Sequence, residues 1–353
     1  MQVGLPALID DRDCAFGKAV QLGDGTLLCS YGVGGGPNVW GGSEWSHSED
    51  GGRTWSLGGT ILPKQVAGST TVSNALKLSQ APDGATIYAY GSRYYRDRDA
   101  RFGSGRDEGV LCCSPDAAKT WSEPRIMPFG YAHPIEISDA ILVLPGGRLL
   151  APAGLLPAED RLGEQVIGLI SDDGGQTWPI RPVIFEHPQH GHGYFEHKFC
   201  LLPDGSILAI CWTVTLNREL LDQPNHYAIS RDRGETWTAP RSTGIRGQTM
   251  CPLALDSDRI LLAYNRRYGK QGIVLATVCL GNQWAVESET LAYDAQALLD
   301  TGEDGAGVET FDAFRFGFPS LLRLQDGAIL LTYWAQPPGA DRFGVYARRL
   351  EDV

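Results

Sequence analysis

The sequence has 353 residues and a formal net charge of −12 at pH 7, with 20% charged and 42% hydrophobic residues. A chain this acidic repels phosphate backbones, so we expect no nucleic-acid partner. No apolar stretch reaches the roughly 18 residues of a membrane-spanning helix, and the first residues lack the features of a signal peptide. We therefore expect no membrane association, and a cytoplasmic location unless a leader has been removed.

Six predicted β-hairpins follow one another along the chain, each formed by two apolar strands around a tight turn. Their turns contain Asp24-Gly25, Asp83-Gly84, Gly146-Gly147, Asp204-Gly205, Asp258-Arg259 and Asp326-Gly327. No segment has a sustained helical period, and we interpret only 293–300 as one short helical turn. The eight cysteines form no Cys-x-x-Cys pair and are interpreted as small buried residues in a reducing compartment, with a disulfide left open.

A second motif alternates with the hairpins. Four segments, which begin at Ser48, Ser114, Ser171 and Ser230, share the pattern Ser-x-Asp-x-Gly-x-Thr-Trp, with alanine in place of the glycine in the second. Ser and Asp side chains can bond the backbone of a tight turn, Gly accepts a positive φ, and Thr-Trp begins a strand with a large apolar anchor. The residues predicted to build these turns are Asp50, Trp55, Asp116, Trp121, Asp173, Trp178, Asp232 and Trp237.

The two motifs together predict the fold. Each repeat unit contains a hairpin, a variable loop, a third strand, a sharp turn and a fourth strand. We therefore predict an all-β, six-bladed β-propeller with four-stranded antiparallel blades, as a single domain over residues 1–353. Residues 1–9, in which Val3, Leu5, Ala7 and Ile9 alternate, would supply the last outer strand and close the ring.

The repeated turn resembles the Asp-box, or bacterial neuraminidase repeat, of the sialidase superfamily. The resemblance implies that the boxes are structural and that chemistry occurs at the mouth of the central channel. Sialidases carry three arginines, a tyrosine nucleophile with its glutamate, and an acidic aspartate. Glu196 stands at the position of the glutamate and Arg266 or Arg267 at that of one arginine, but the segment 316–320 has no tyrosine. The resemblance thus implies a sialidase-like protein that lacks most of the conventional catalytic set.

A histidine-rich segment leads into the fourth innermost strand, and it contains His187, His190, His192 and His197. Imidazoles titrate near neutral pH, so one of them, His192 above all, could act as a general acid or base. His187, His190 and His192 could instead bind a metal, although their spacing matches no standard zinc pattern. A solvated loop without a chemical role is the third interpretation.

Three further residues are catalytic candidates because of their positions. Tyr194 and Glu196 lie two residues apart and would share a face of an extended strand, which suits a proton-transfer pair. The alternative for Tyr194 is packing against the channel wall. His133 precedes the third innermost strand in an analogous place and is either catalytic or structural.

Arginines concentrate in one loop of this acidic chain. Residues 92–106 contain five arginines, among them Arg93 and Arg96, and two tyrosines. Arginine binds carboxylates through two parallel hydrogen bonds, so the loop suits an acidic sugar, unless its arginines pair with its own aspartates. The residues expected to approach the same mouth are Arg12, His197, Arg266, Arg267, Tyr268 and Asp312.

The leading functional hypothesis is a glycoside hydrolase that acts on an acidic glycan containing a uronate or an ulosonate. Glu196 and a partner such as Asp312 or a histidine would form its catalytic pair. The alternatives are a uronate-linked-glycan lyase, with a His/Tyr pair and Arg93 or Arg266 neutralising the carboxylate, and a non-catalytic glycan-binding propeller. We expect no cofactor, and homo-oligomerisation stays open.

Overall fold

The computed structural model describes residues 1–38, 40–66, 69–70, 72–73, 75–95, 106–158, 161–216, 220–281, 284–296 and 313–352. These ranges consist of β-strands and loops, and their one helical element is a 3₁₀ turn at Gly36–Asn38. The helical turn expected from residue 293 does not start there, because residues 293 and 294 end a strand; residues 297–300 lie outside the described ranges. None of the described residues forms a helix that could cross a membrane.

The strands follow the predicted order in the first half of the chain. Before the first blade lie β1 (Gln2–Val3) and β2 (Ala7–Asp10). Blade 1 contains β3 (Cys14–Gln21), β4 (Leu27–Val33), β5 (Ser43–Ser48) and β6 (Ser56–Leu62). The short hairpin β7 (Gln65–Val66) and β8 (Ser69–Thr70) and the strand β9 (Val72–Ser73) precede the rest of blade 2, which contains β10 (Lys77–Gln80), β11 (Ile87–Tyr95), β12 (Arg106–Ser114) and β13 (Arg125–Ile126).

The second half repeats the same arrangement. Blade 3 contains β14 (Ile135–Glu136), β15 (Leu142–Val143), β16 (Leu149–Leu155), β17 (Gln165–Ser171) and β18 (Val183–Glu186). Blade 4 contains β19 (His192–Leu201), β20 (Ile207–Thr215), β21 (Asp222–Ser230) and β22 (Arg241–Ser242). Blade 5 contains β23 (Gln248–Ala254), β24 (Arg259–Arg266), β25 (Gly272–Leu280) and β26 (Trp284–Asp294), and blade 6 contains β27 (Phe316–Arg323), β28 (Ile329–Ala335) and β29 (Gly344–Glu351).

The six sheets form a six-bladed propeller, as predicted. Neighbouring strands pair in antiparallel fashion within each blade, and the innermost position is divided between β14 and β15 in blade 3, where both pair with β16. The ring closes as expected, because β1 and β2 pair with β29 and supply the outer strand of blade 6. Gln2 lies opposite Glu351 in this pairing, and Ala7 lies opposite Ala347.

The apolar core is divided among the six interfaces between blades. Six clusters of buried hydrophobic residues each combine side chains of two neighbouring blades, including the pair formed by blades 6 and 1. No blade buries both of its faces alone, so each blade depends on both of its neighbours. The eight cysteines are all free, and six of them are buried.

The four repeated turns join the third and fourth strands of blades 1 to 4. In the first, Asp50 Oδ1 accepts hydrogen bonds from Ser48 Oγ (2.8 Å) and Thr54 N (2.9 Å), and Asp50 Oδ2 accepts one from Thr54 Oγ1 (2.7 Å). Gly52, at a φ of 89°, donates its amide to Ser48 Oγ. Equivalent bonds surround Asp116, Asp173 and Asp232.

The tryptophans of these turns are anchors, as the pattern predicted. Each packs against the apolar cluster between its own blade and the preceding one; they are Trp55, Trp121, Trp178 and Trp237. Trp55 Nε1 also donates to Gly52 O at 3.1 Å, which ties the indole back to its turn. The turns therefore hold the outer strands against the interfaces between blades.

We predict that Asp173→Ala lowers the midpoint of thermal unfolding by a few degrees at pH 7. The side-chain hydrogen bond from Thr177, with further bonds from Thr177 N and Ser171 Oγ, holds the pKa of Asp173 below its ordinary value of 3.8. A lowered pKa stabilises the fold above the unfolded value, so the difference from the wild type should shrink as the pH falls below 3.8. Differential scanning calorimetry at several pH values measures this.

The control is Glu49→Ala, which removes an exposed carboxylate beside the first turn. We expect it to leave the midpoint almost unchanged. Equal losses in the two variants would mean that the turn contacts of Asp173 do not contribute to stability.

Candidate functional site

Four innermost strands carry the same irregularity at the same depth. Each contains a β-bulge whose central residue has a positive φ: 64° for Phe16, 46° for Glu196, 45° for Thr249 and 51° for Phe318. Non-glycine residues adopt this conformation rarely and at an energetic cost, and bulges of this kind concentrate at functional sites. The bulges place these four side chains around one pocket.

This pocket, which we name the axial pocket, lies at the end of the channel where the innermost strands begin. It is lined by Phe16, Glu196, Gln248, Thr249, Asn265, Arg267, Phe314, Gly317, Phe318 and Trp334. Its volume is about 10 Å³, which admits one water-sized group. Asn265 Oδ1 and Trp334 Nε1 are buried there without a hydrogen-bond partner among the described residues.

Glu196 is the carboxylate of the axial pocket. It accepts a hydrogen bond from Thr249 Oγ1 of the neighbouring blade. Burial raises the pKa of Glu196, although the bond from Thr249 and the cations Lys198 and Arg267 oppose the shift. A carboxyl group with a raised pKa can keep its proton closer to neutral pH, as a general acid requires.

Arg267 lies in the same pocket and is 2% exposed. Its Nε donates to Gln248 Oε1 at 2.8 Å, and its guanidinium carbon lies 3.9 Å and 4.1 Å from the ring centroids of Phe314 and Phe316. Burial lowers the pKa of Arg267 to about 9, while Glu196 and other carboxylates oppose this. The group is therefore a cation held in a largely aromatic environment at neutral pH.

Asp222 is a second buried carboxylate near Arg267. The Arg267 cation interacts electrostatically with Asp222 as well as with Glu196. Asp222 begins the third strand of blade 4 and accepts hydrogen bonds from Trp212 Nε1 and Tyr268 Oη. Burial raises its pKa to about 6, against the effect of both bonds. Tyr268, a predicted site residue, thus acts by holding Asp222.

Buried charges from four blades fill the channel below the axial pocket. Lys18 Nζ donates to Asp139 Oδ1 at 2.9 Å, while Lys77 and Lys198 donate to backbone carbonyls in the segment 137–138. Lys77 and Lys198 have no exposed surface. Such a network is tolerated only because every ion has partners, since an isolated buried charge is very costly.

The pKa values of this network follow from burial and from pairing. Burial alone would raise the pKa of Asp139, but Lys18 and Lys198 hold it at about 2. Burial lowers the pKa of Lys198 to about 8, and its ammonium lies 3.5 Å from the ring centroid of Phe318, the bulge residue of blade 6. The network therefore lies in direct contact with the floor of the axial pocket.

His197, predicted to bind substrate, lies instead within this buried network. It is fully buried, and its Nδ1 lies 3.5 Å from Glu136 Oε2. Burial lowers the pKa of His197 to about 3. Burial and the nearby Glu196 raise the pKa of Glu136, which favours its protonated form. His197 therefore lies among the charged groups beneath Glu196 and does not face the mouth.

Three of the predicted histidine and tyrosine candidates form a separate cluster between blades 3 and 4. The ring of His192 lies 4.5 Å from that of His187 and 5.2 Å from that of His226. Tyr194 packs below them against Phe185 and has no exposed surface. Tyr194 Oη and His192 Nδ1 are buried, and neither has a hydrogen-bond partner in the described part of the chain. The bulge at Glu196 reverses the strand alternation, so Tyr194 and Glu196 do not share a face.

The predicted arginines outside the axial pocket are engaged with carboxylates. Arg12 donates to both oxygens of Asp10 and to Glu44. Arg93 is buried and lies 4.0 Å from Glu108. Arg266 lies 3.5 Å from Glu289 and donates to Lys270 O at 2.8 Å. In the described part of the loop 92–106, therefore, the arginines pair within the protein.

The remaining candidates lie apart from the axial pocket or outside the described ranges. His133 is exposed and contacts Tyr131, with ring centroids 5.4 Å apart. His190 pairs with Glu164 at 2.9 Å. Asp312 and Arg96 lie outside the described residues. Nowhere in the described ranges are three His, Cys, Asp or Glu side chains placed to hold a metal ion, a finding that includes His187, His190 and His192.

Sequence reasoning missed several residues of the site and its surroundings: Phe16, Lys18, Lys77, Glu136, Asp139, Lys198, Asp222, His226, Asn265 and Trp334. One signal was available for the lysines, because Lys18, Lys77 and Lys198 each interrupt an apolar strand that the repeats assign to the innermost position. The bulges carried no comparable signal, since their central residues are phenylalanine in blades 1 and 6, glutamate in blade 4 and threonine in blade 5.

Three comparisons place the chain among known proteins. Residues 98–331 match the family described as BNR repeat-like domain. No curated protein is similar enough in sequence to match the chain. Among solved structures, a protein of unknown function from Dyadobacter fermentans is 20% identical with a TM-score of 0.74, and the alignment covers 98% of this chain and 97% of that one.

Two further structures have named activities. The NanB sialidase from Streptococcus pneumoniae is 13% identical with a TM-score of 0.69, over 98% of this chain and 70% of that one. An α-L-arabinanase from Penicillium chrysogenum, complexed with arabinobiose, is 14% identical with a TM-score of 0.66, over 100% of both chains. At these identities the likeness establishes a shared propeller fold.

We predict that the free energy of unfolding depends less on pH in His197→Gln than in the wild type. The folded state keeps His197 neutral to a pH of about 3, whereas the unfolded chain takes up the proton near its ordinary pKa of 6.5. Stability of the wild type should therefore fall as the pH drops below 6.5, with this residue contributing up to about 1.4 kcal/mol per pH unit. Urea unfolding between pH 7.5 and 4 measures the slope.

The matched control is His133→Gln, which replaces an exposed imidazole. Its slope should equal that of the wild type. An unchanged slope in His197→Gln would show that the buried imidazole takes no part in acid unfolding.

Proposed function

The chain belongs to the BNR repeat-like domain family, and we propose that it is a glycoside hydrolase that acts on an acidic glycan at the mouth of its central channel. Two of the similar structures are a sialidase and an α-L-arabinanase, which supports a carbohydrate-cleaving activity. The observation that carries the proposal is internal to this chain: Glu196 and Arg267 line one pocket with an aromatic wall.

The axial pocket has the chemical groups that cleavage of a glycosidic bond requires. Glu196, whose pKa burial raises, is suited to protonate the leaving oxygen as a general acid. Because the pocket admits only a water-sized group, the sugar ring would lie over its opening, against Phe16, Phe318 or Trp334. Aromatic faces pack well against the apolar faces of sugars.

Glycosidases of the usual kind need a second carboxylate. Asp222 is a candidate for this second carboxylate within the described residues. Arg267 interacts electrostatically with both Asp222 and Glu196 and could hold the two carboxylates in a fixed arrangement. Asp312, which the sequence offered as the partner, stays a second candidate outside the described residues. The innermost strand of blade 6 offers no tyrosine nucleophile, because Phe316 and Phe318 occupy its start.

The acidic character of the substrate is inferred from Arg267. A guanidinium in an aromatic pocket binds a carboxylate strongly, because little water competes for it. Arg12, Arg93 and Arg266 already pair with carboxylates of the protein. We assign Arg267 to the carboxylate of the substrate because its guanidinium lines the axial pocket together with Glu196.

A lyase is the second candidate function, and the cluster of His192, His226 and Tyr194 favours it. Tyr194 Oη and His192 Nδ1 have no hydrogen-bond partner among the residues that the structure describes, as expected for groups that exchange protons with a substrate. The hydrolase is preferred because Tyr194 has no exposed surface and Arg93 and Arg266 are already paired.

A screen against acidic oligosaccharides distinguishes the candidates. The release of new reducing ends without ultraviolet absorbance of an unsaturated uronate is the expected result for a hydrolase. Both signals together would identify the lyase. Binding of a glycan without either signal would identify a non-catalytic glycan-binding propeller and would overturn the proposal.

We predict that Glu196→Gln lowers kcat/KM at least about 100-fold on any substrate found by the screen, because general acid catalysis contributes at least this much. The amide keeps the shape and the contact with Thr249, so circular dichroism and the unfolding midpoint should stay close to those of the wild type. The control Glu287→Gln changes an exposed carboxylate on the outer strand of blade 5 and should keep full activity. Full activity in Glu196→Gln would refute the site assignment.

A further inference from the structure

A larger pocket lies at the opposite ends of the innermost strands, where they approach their hairpin turns. It has a volume of about 380 Å³, within the range of small-molecule sites. We name it the lower pocket. It is lined by residues 18–21, 78–80, 139–143, Phe199, residues 321–323 and Gln325, which come from blades 1, 2, 3, 4 and 6.

The polar groups at the inner end of the lower pocket differ in how many of their hydrogen-bonding positions are used. Asp139 Oδ1 accepts hydrogen bonds from Lys18 Nζ (2.9 Å) and Ala140 N (2.9 Å), and Asp139 Oδ2 accepts one from Phe199 N (3.0 Å). The carboxylate is therefore well supplied with donors. Lys18 Nζ has three N–H groups but only this one hydrogen bond in the described structure. The inner end of the pocket thus offers donors and few free acceptors.

The charge of Lys18 is secured by its surroundings. Burial would lower the pKa of the ammonium, but Asp139 and nearby thiols raise it overall. The side chain is 17% exposed, and it lines the lower pocket. A cation with uncommitted N–H groups therefore faces the cavity at neutral pH.

The rim adds one exposed donor, Arg323, and it also contains Ser79. Ser79 Oγ is buried and has no hydrogen-bond partner among the described residues. Arg323 is exposed and uses Nη2 to bond Ala254 O, while none of the described residues accepts from its other nitrogens. The rim glutamines, in contrast, are occupied: Gln21 and Gln325 bond each other's hairpin turns.

The remaining wall is apolar. Leu78, Ile141, Phe199 and Leu321 are each less than 9% exposed and surround the cavity, together with Val20. Apolar walls with a few convergent donors favour a ligand that is apolar along its body and negatively charged at one end. We propose that the lower pocket binds a small carboxylic acid with an apolar body, whose carboxylate lies against Lys18. The site is separate from the axial pocket and does not rest on the proposed function.

Octanoate is the probe, and its neutral isostere octanamide and the cation octylammonium are the comparisons. Isothermal titration calorimetry on the full chain should detect octanoate binding, at least tenfold tighter than octanamide, and no octylammonium binding. No octanoate binding, or equal affinity for octanoate and octanamide, would overturn the proposal.

Two variants place the binding in the lower pocket. Ser79→Leu places a larger side chain in the lining of the pocket, and it should lower octanoate affinity at least tenfold. Arg323→Gln, which changes an exposed side chain and should fold normally, is expected to lower it several-fold. Circular dichroism verifies the fold of each. Unchanged affinity in a folded Ser79→Leu, or in Arg323→Gln, would refute the assignment to this pocket.

Two control variants test whether octanoate binds in the lower pocket and not at the channel mouth. Arg231→Gln removes an exposed arginine at an outer turn and should leave octanoate affinity unchanged. Glu196→Gln should also bind octanoate like the wild type. A loss of affinity in Glu196→Gln equal to that in Ser79→Leu would place octanoate in the axial pocket and overturn the proposal.

Discussion

The pairing of β1 and β2 with β29 is the contact on which the rest of the molecule depends. A propeller is a ring of sheets, and each of its six apolar clusters needs two neighbouring blades. Closing the ring gives blade 6 its outer strand and fixes the packing of blade 6 on blade 1. Only in a closed ring do six innermost strands surround an axis, and the axial pocket and the buried ionic network lie along that axis.

The narrow axis explains why the site is built from bulges and buried ions. A regular strand beside the axis directs its side chains alternately to the two neighbouring blades. A residue at a bulge, such as Glu196, escapes this alternation and reaches the pocket. Little water fits between the strands, so charges such as Lys198 and Asp139 must satisfy one another across blades. The same exclusion of water raises the pKa of Glu196. It also favours the proposed binding of an anion by Arg267, because little water competes for the guanidinium.

The sequence was sufficient for the architecture because its signals are local and repeated. The hairpin turns, the four boxes and the alternating residues 1–9 each depend on neighbours in the chain. The site was only partly predictable. Glu196 and Arg267 could be placed by resemblance, but Lys18 and Asp139 are 121 positions apart and meet only in the closed ring. The shared face expected for Tyr194 and Glu196 failed because a bulge has no simple sequence signature.

Ring closure also has a consequence for the order of events during synthesis. The strands β1 and β2 leave the ribosome before the six blades, and their partner β29 follows all the other strands of the propeller. Until then the first segment has no sheet to join, and blade 1 lacks the neighbour that covers one of its faces. Contacts between such distant segments slow folding, because a long loop must be closed. A partly made chain therefore carries an open sheet edge, which a chaperone or a second nascent chain can occupy before β29 does.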